Sequence, residues 1–116
     1  METQPAAGQI TIAPEVLETI ARLTTLAVPG VVRMAPASGV KRLLRHDGVE
    51  LDIVGNRVSV RLHVVAEPDA DMLLVGRRIQ AEVARAIRDM VGMDVESIDV
   101  HIEDVAYVSE EMSAPN

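Results

Sequence analysis

The chain has 116 residues, of which 48% are hydrophobic, and a formal net charge of -7. This length is typical of one domain with its own core, and the negative charge disfavours long-range attraction to nucleic acid or anionic lipid. The sequence contains no Cys, no Trp, no Phe and a single Tyr. Disulfides, thiolate metal sites and cysteine nucleophiles are therefore excluded, the core must be aliphatic, and aromatic platforms for unpaired bases are missing.

The sequence also lacks the features of a membrane span or a secretory signal. No stretch approaches the roughly 20 apolar residues that a spanning helix needs. Residues 1–8 contain no Lys or Arg, and no apolar run follows them. We expect a cytoplasmic protein, whose contact with the inner face of a membrane would be peripheral and made through a partner.

The first predicted helix begins at Pro14, because the missing N–H of proline would have no partner at the first helical position. The residues before it, 9–12, fit either a short edge strand or a simple entry segment. Pro29 and Gly30 end the helix. Its predicted apolar stripe consists of Val16, Leu17, Ile20, Leu23, Ala27 and Val28.

Residues 31–34 form a short apolar piece that we expect to be extended, and residues 35–39 read as a loop. The segment that follows, residues 40–46, is the most basic short segment of the chain. Two interpretations are open: a solvated loop or single helical turn, or a patch that binds an acidic partner or a membrane surface. The candidate partner-binding residues are Lys41, Arg42, Arg45 and His46.

Residues 48–66 predict a β-hairpin, with Gly55 and Asn56 as its two-residue turn. A shift of the pairing register by one residue would place charged side chains opposite buried valines. The position of the turn and the identity of the buried face are therefore fixed together. The register pairs Ile53 with Val58, Leu51 with Val60 and Val49 with Leu62 on one face, and Glu50 with Arg61 and Asp52 with Ser59 on the other.

A long amphipathic helix follows, with Asp69 or Asp71 as its N-cap and Gly92 as a left-handed C-cap. Gly76 lies inside it at a cost of about 1 kcal/mol relative to Ala, which suggests close packing or a contact there. Residues 96–103 then alternate as a strand with one buried face. The helix stripe consists of Val75, Ile79, Val83, Ala86, Ile87 and Met90, and the buried strand residues are Ile98, Val100 and Ile102.

These elements predict an α+β fold with two layers. Two helices pack on one face of a small mixed sheet of three or four strands, in the order α-β-β-β-α-β. The strand–helix–strand unit calls for a parallel, right-handed crossover. We expect a flexible lead at residues 1–8, one domain at residues 9–105, and a flexible tail at residues 106–116.

The sequence shows no recognised catalytic motif. It has neither a glycine-rich phosphate loop nor a GxSxG nucleophile elbow. His63 and His101 are expected on the outward sheet face near several carboxylates, where a metal could bind. Neither histidine has a recognised ligand spacing, so we expect a solvated face with cross-strand ion pairs and no metal. The residues themselves therefore indicate no catalytic site.

The order of segments resembles the alkaline shock protein family, also known as the Gls general stress proteins. The resemblance spans roughly residues 8–105. Two positions depart from the family pattern: Pro68 and Asp69 stand where Tyr-Gly is usual, and Ala13 and Pro14 stand where the first helix often begins on a Ser cap. The matching segments are residues 8–12 and 15–17, 28–31, 48–51 and 58–65, 79–83, 90–93 and 95–105.

Members of that family are small bacterial cytoplasmic proteins tied to cell-envelope homeostasis. The resemblance therefore implies a non-enzymatic stress response protein with no catalytic residues, no cofactor and no small-molecule substrate. It also implies a homo-oligomer that, in some members of the family, is held at the membrane by a separate anchoring protein. The aliphatic sheet edges and the polar sheet face offer surfaces for such contacts.

The alternative is a KH-like RNA-binding module, because two helices on a small sheet also resemble that fold. A KH domain holds the nucleic-acid backbone with a GXXG loop, which this chain lacks. We therefore do not expect a nucleic-acid partner.

Overall fold

The structure is a computed structural model that describes residues 7–36 and 48–107. Two helices and four strands follow one another in the predicted order. The helices are α1 (Pro14–Leu26) and α2 (Met72–Val91), and the strands are β1 (Val31–Met34), β2 (Val49–Val54), β3 (Arg57–Ala66) and β4 (Asp94–Val105). The predicted α+β class is confirmed. Most of the predicted lead and tail falls outside the described residues.

The sheet is built around β3. β2 pairs antiparallel with its first part and β1 pairs antiparallel with its last part, so these two short strands share one side of β3. β4 pairs parallel with the whole of β3 on the other side. The mixed sheet and the parallel crossover are confirmed, and the hairpin has the predicted register around Gly55 and Asn56. Residues 9–12 are an entry segment with no strand assignment.

Both helices cover the same face of the sheet. The valines and leucine that alternate along β3 point into the core, because side chains two residues apart share one face of a strand. α1 packs on β1, β2 and α2, and α2 packs on β4. The core consists of Leu17 and Ala21 from α1, Val28 two residues after its end, Val49, Val58, Val60, Leu62, Val64 and Ile98 from the sheet, and Val75, Ile79, Val83 and Ile87 from α2.

Both ends of α2 are capped as predicted. The Leu74 backbone N–H donates to Asp71 Oδ1 at 3.1 Å, which satisfies one of the free amides of the first turn. Gly92 has φ +77° and donates its N–H to the carbonyls of Ile87 and Arg88. Met90, which the stripe placed in the core, is exposed. That prediction is wrong because the buried row of α2 keeps a spacing of four residues and continues from Ile87 to Val91, which packs against the core.

The buried face of α1 differs from the predicted stripe. Leu17, Ala21 and Thr25 are buried at a spacing of four residues, while Val16 and Leu23 are exposed. Apolar residues lie on more than one side of α1, so its sequence alone does not determine which side packs. Tertiary contacts select the row of Leu17, Ala21 and Thr25. Thr25 enters the core because its hydroxyl donates to the Ala21 carbonyl at 2.7 Å.

Gly48 provides a test of how closely the hairpin entry is packed. An Ala Cβ at Gly48 would lie 2.7 Å from the His63 carbonyl oxygen and 2.8 Å from that of Ala35, whereas at Gly92 it would meet nothing within 4 Å. The two glycines have φ +79° and +77°, so the conformational penalty is matched. We expect Gly48→Ala to lower the free energy of unfolding by about 2 to 4 kcal/mol and Gly92→Ala by about 1 kcal/mol. Urea denaturation measures both; equal losses would contradict the backbone clash.

Candidate functional site

The outer face of the sheet carries a cluster of charged and imidazole side chains. The parallel register of β3 and β4 places His63 directly opposite His101. Their ring centroids lie 4.8 Å apart with an interplanar angle of 11°, so the rings stack. The sequence placed these two histidines on neighbouring strands, and the structure brings them into contact.

His63 is held by carboxylates from the two neighbouring strands. Its Nε2 lies 2.9 Å from Glu50 Oε2 on β2, and its Nδ1 contacts Glu103 Oε2 on β4. A neutral imidazole carries one N–H, so the ring donates to both carboxylates only when both nitrogens are protonated. The other oxygen of Glu50 accepts from Arg61 Nη1 at 3.2 Å. The polar groups thus form a chain of contacts across β2, β3 and β4.

This face is less solvated than the sequence predicted. Only 6% of His63 remains exposed, although its position alternates with the core residues of β3 and therefore points away from the helices. The stacked ring of His101 and the side chains of Glu50 and Glu103 surround it. The expectation of a solvated face is wrong at His63, because ring stacking and cross-strand contacts bury a central residue that alternation alone assigns to solvent.

The geometry of the histidines does not converge on a common point. Both ring nitrogens of His63 are directed at carboxylate oxygens, and the two imidazoles lie face to face, so their lone pairs do not aim at one ion. Within residues 7–36 and 48–107, no group of three or more His, Asp or Glu side chains is arranged to hold a metal ion.

A second feature is the outer edge of β4. In the described part of the chain, β4 is hydrogen-bonded along β3 and to no other strand, so its far side is an open edge of twelve residues. One backbone group there is covered: Gln80 Nε2 on α2 donates to the Ile98 carbonyl at 3.0 Å.

Between α2 and this edge runs a groove, which we call the edge groove. It is lined by Met72, Leu73 and Gly76 from α2 and by Val100 and Ile102 from β4, with Arg77 and Gln80 at its borders. A Cβ at Gly76 would meet nothing within 4 Å. The interpretation of Gly76 as a site of close packing is therefore wrong: the glycine opens the wall of the groove.

The predicted basic patch lies outside the described residues. Lys41, Arg42, Arg45 and His46 belong to residues 37–47, so their role in partner binding stays a prediction. The edge groove, in contrast, was missed by the sequence reasoning. Gly76 was the one signal that pointed to it, since a glycine inside a helix costs about 1 kcal/mol relative to Ala and therefore suggests a contact at that position.

None of the helices in the described ranges is long and apolar enough to cross a membrane. What the described residues define is a small two-layer α+β domain with a polar sheet face and an open sheet edge at β4.

Comparison with known proteins identifies the family. Residues 2–107 match the family of alkaline shock protein 23, described as having a cell envelope-related function, and the chain belongs to that family. The chain is 24% identical to the uncharacterized protein YqhY of Bacillus subtilis (strain 168), over 86% of this chain and 78% of the relative. It is 22% identical to the uncharacterized protein YloU of the same organism, over 90% and 94% of the two chains.

Solved structures share the fold. The copper form of the MamM CTD superimposes with a TM-score of 0.59 at 18% identity, covering 78% of this chain and 85% of that chain. A MamM CTD structure of residues 215–293 gives a TM-score of 0.51 at 18% identity, over 78% and 96% of the two chains. At such identity the likeness concerns the fold alone.

The carboxylate contacts of His63 predict unequal effects of removing the two histidines. We expect His63→Ala to lower the free energy of unfolding by about 2 to 3 kcal/mol, because Glu50 and Glu103 lose a shared, part-buried partner. We expect His101→Ala, at an exposed position, to cost less than about 1 kcal/mol. Urea denaturation of both variants measures the difference; losses of similar size would mean that the stacking, and not the carboxylate contacts, stabilises this face.

Proposed function

We propose that the protein is a non-enzymatic interaction protein of the cell-envelope stress response. It acts in the cytoplasm, by self-association and by docking to a membrane-anchored partner. The family's cell envelope-related function is the observation that carries this proposal. The proposal adds a mechanism to that function: the protein acts by assembly and not by catalysis.

Two surfaces support assembly. The open edge of β4 offers backbone groups that pair with no other described strand, and such groups are ready templates for another chain. The basic segment of residues 40–46 combines Lys and Arg with leucines, which suits an acidic partner surface at the membrane.

A crosslinked pull-down of the tagged chain from its native cells tests the proposal. We expect to recover the untagged chain together with an integral membrane protein. Recovery of RNA that survives a salt wash, with no membrane protein, would overturn the proposal in favour of the KH-like alternative.

Charge reversal of the basic patch should separate docking from folding. We expect a variant with Lys41, Arg42 and Arg45 replaced by Glu to lose the membrane protein in the pull-down while its circular dichroism spectrum is unchanged, because an acidic partner would repel the reversed patch.

The matched control reverses three exposed arginines of α2, Arg78, Arg85 and Arg88, and so changes the net charge by the same amount. The control should keep the membrane protein. Retention by both variants would show that the patch is not the docking site, and loss by both would show that net charge, not position, decides binding.

A further inference from the structure

One segment of the chain is prone to form a strand but has no strand partner. No hydrogen bond between described residues involves the backbone of residues 8–12. Ile10 is 93% exposed and Ile12 is 40% exposed. Residues 9–12 read Gln-Ile-Thr-Ile, so β-branched apolar side chains alternate with uncharged polar ones, the pattern of a strand with one apolar face.

The open edge of β4 has backbone groups directed at a further strand. The N–H and C=O of His63 bond to Gly48 and Ala35, on the β1 and β2 side of β3. Successive residues of a strand direct their backbone N–H and C=O groups to opposite sides. Val60 and Leu62, an odd number of residues from His63, therefore direct their groups at β4. In a parallel pair the residues opposite them, Ile98 and Val100, then direct their own N–H and C=O outward. The bond from Gln80 to the Ile98 carbonyl shows this direction.

The edge groove beside these groups fits two aliphatic side chains. Val100 and Ile102, two residues apart on β4, present their side chains on the helix side, next to Met72, Leu73 and Gly76. Side chains two residues apart on an added strand would stand beside them with the same spacing. The groove measures about 530 Å³ and is open where Gly76 has no side chain.

The charges of β4 favour its pairing with the neutral segment, residues 9–12, over its pairing with the β4 strand of another copy. β4 is rich in carboxylates, so two copies of it paired with each other would place like charges on adjacent strands, which is destabilising. Residues 9–12 carry no charge. The carboxylates of β4 are Asp94, Glu96, Asp99, Glu103 and Asp104.

The segment cannot reach the groove of its own copy. The end of α1 lies beside the N-terminal half of α2, since Thr24 and Val28 line one cavity with Arg78. The groove lies at that same half of α2. Because α1 has 13 residues, its start lies about 20 Å from its end, along the helix axis. Ile12 is two residues before Pro14 and reaches only about 7 Å from it.

We infer that residues 9–12 of one copy add as a further strand to the β4 edge of the next copy, with Ile10 and Ile12 in the edge groove. This inference rests on the proposed self-association and assigns its contact. Each copy offers one strand and one edge, so the assembly is head-to-tail and is not limited to two copies.

Two variants that each remove one half of the contact test the inference. Ile10→Asp disables the strand by placing a charge in an apolar groove. Gly76→Leu fills the groove and replaces a helical glycine by a better helix former, so folding is retained. In sedimentation velocity over a range of concentrations, we expect the wild type to associate and each variant alone to stay monomeric. A 1:1 mixture of the two should form dimers and nothing larger, because it contains one intact strand and one intact groove.

Controls are Ala7→Asp, which adds the same charge outside the segment, and Ala81→Leu, which adds the same side chain on an exposed part of α2; both should associate like the wild type. Variants that associate like the wild type, or a mixture that stays monomeric, would overturn the strand contact and leave self-association standing. A wild type that is monomeric at every concentration would overturn both.

Discussion

The pairing of β3 on both of its sides is the constraint on which the rest of the structure depends. In the described part of the chain it is the one strand with neighbours along both edges. Its alternate residues Val58, Val60, Leu62 and Val64 are buried against the helices. Because alternation is strict, the same register that buries these side chains directs Arg61 and His63 to the opposite face. One strand thus fixes the core, the polar face and the position of β4.

The polar face follows from this arrangement. The residues that face His63 come from β2 and β4, which are separated from it by 13 and 40 positions in the chain. Strand pairing brings them together without any local motif, and the stack with His101 arises because the parallel register aligns two histidines. The result is a network that links three strands, with Glu50 between an imidazole and a guanidinium. Its geometry fits the stabilisation of the sheet.

The two sides of the sheet differ in how they end. One side of β3 is shared by two short strands, β1 and β2, while the other carries a twelve-residue strand whose outer edge has no partner among the described strands. Natural sheets usually guard such edges with charges, twists or covering segments. Here the carboxylates of β4 and the Gln80 side chain guard part of it, and the edge groove remains. A neutral, strand-prone segment at the other end of the domain meets the chemical requirements of that surface.

The sequence by itself determined the order of elements, the hairpin register and the caps of α2. Each of these depends on neighbours in the chain or on the period of one element: the Gly55–Asn56 turn, the alternation of β2 and β3, Asp71 and Gly92. It also carried the resemblance that identified the family. Only the tertiary structure decided which side of α1 is buried, that α2 packs through Val91 and leaves Met90 exposed, that His63 is enclosed, and that Gly76 opens a groove. These features depend on contacts between residues far apart in the chain, and periodicity within one element does not specify which surface its partner covers.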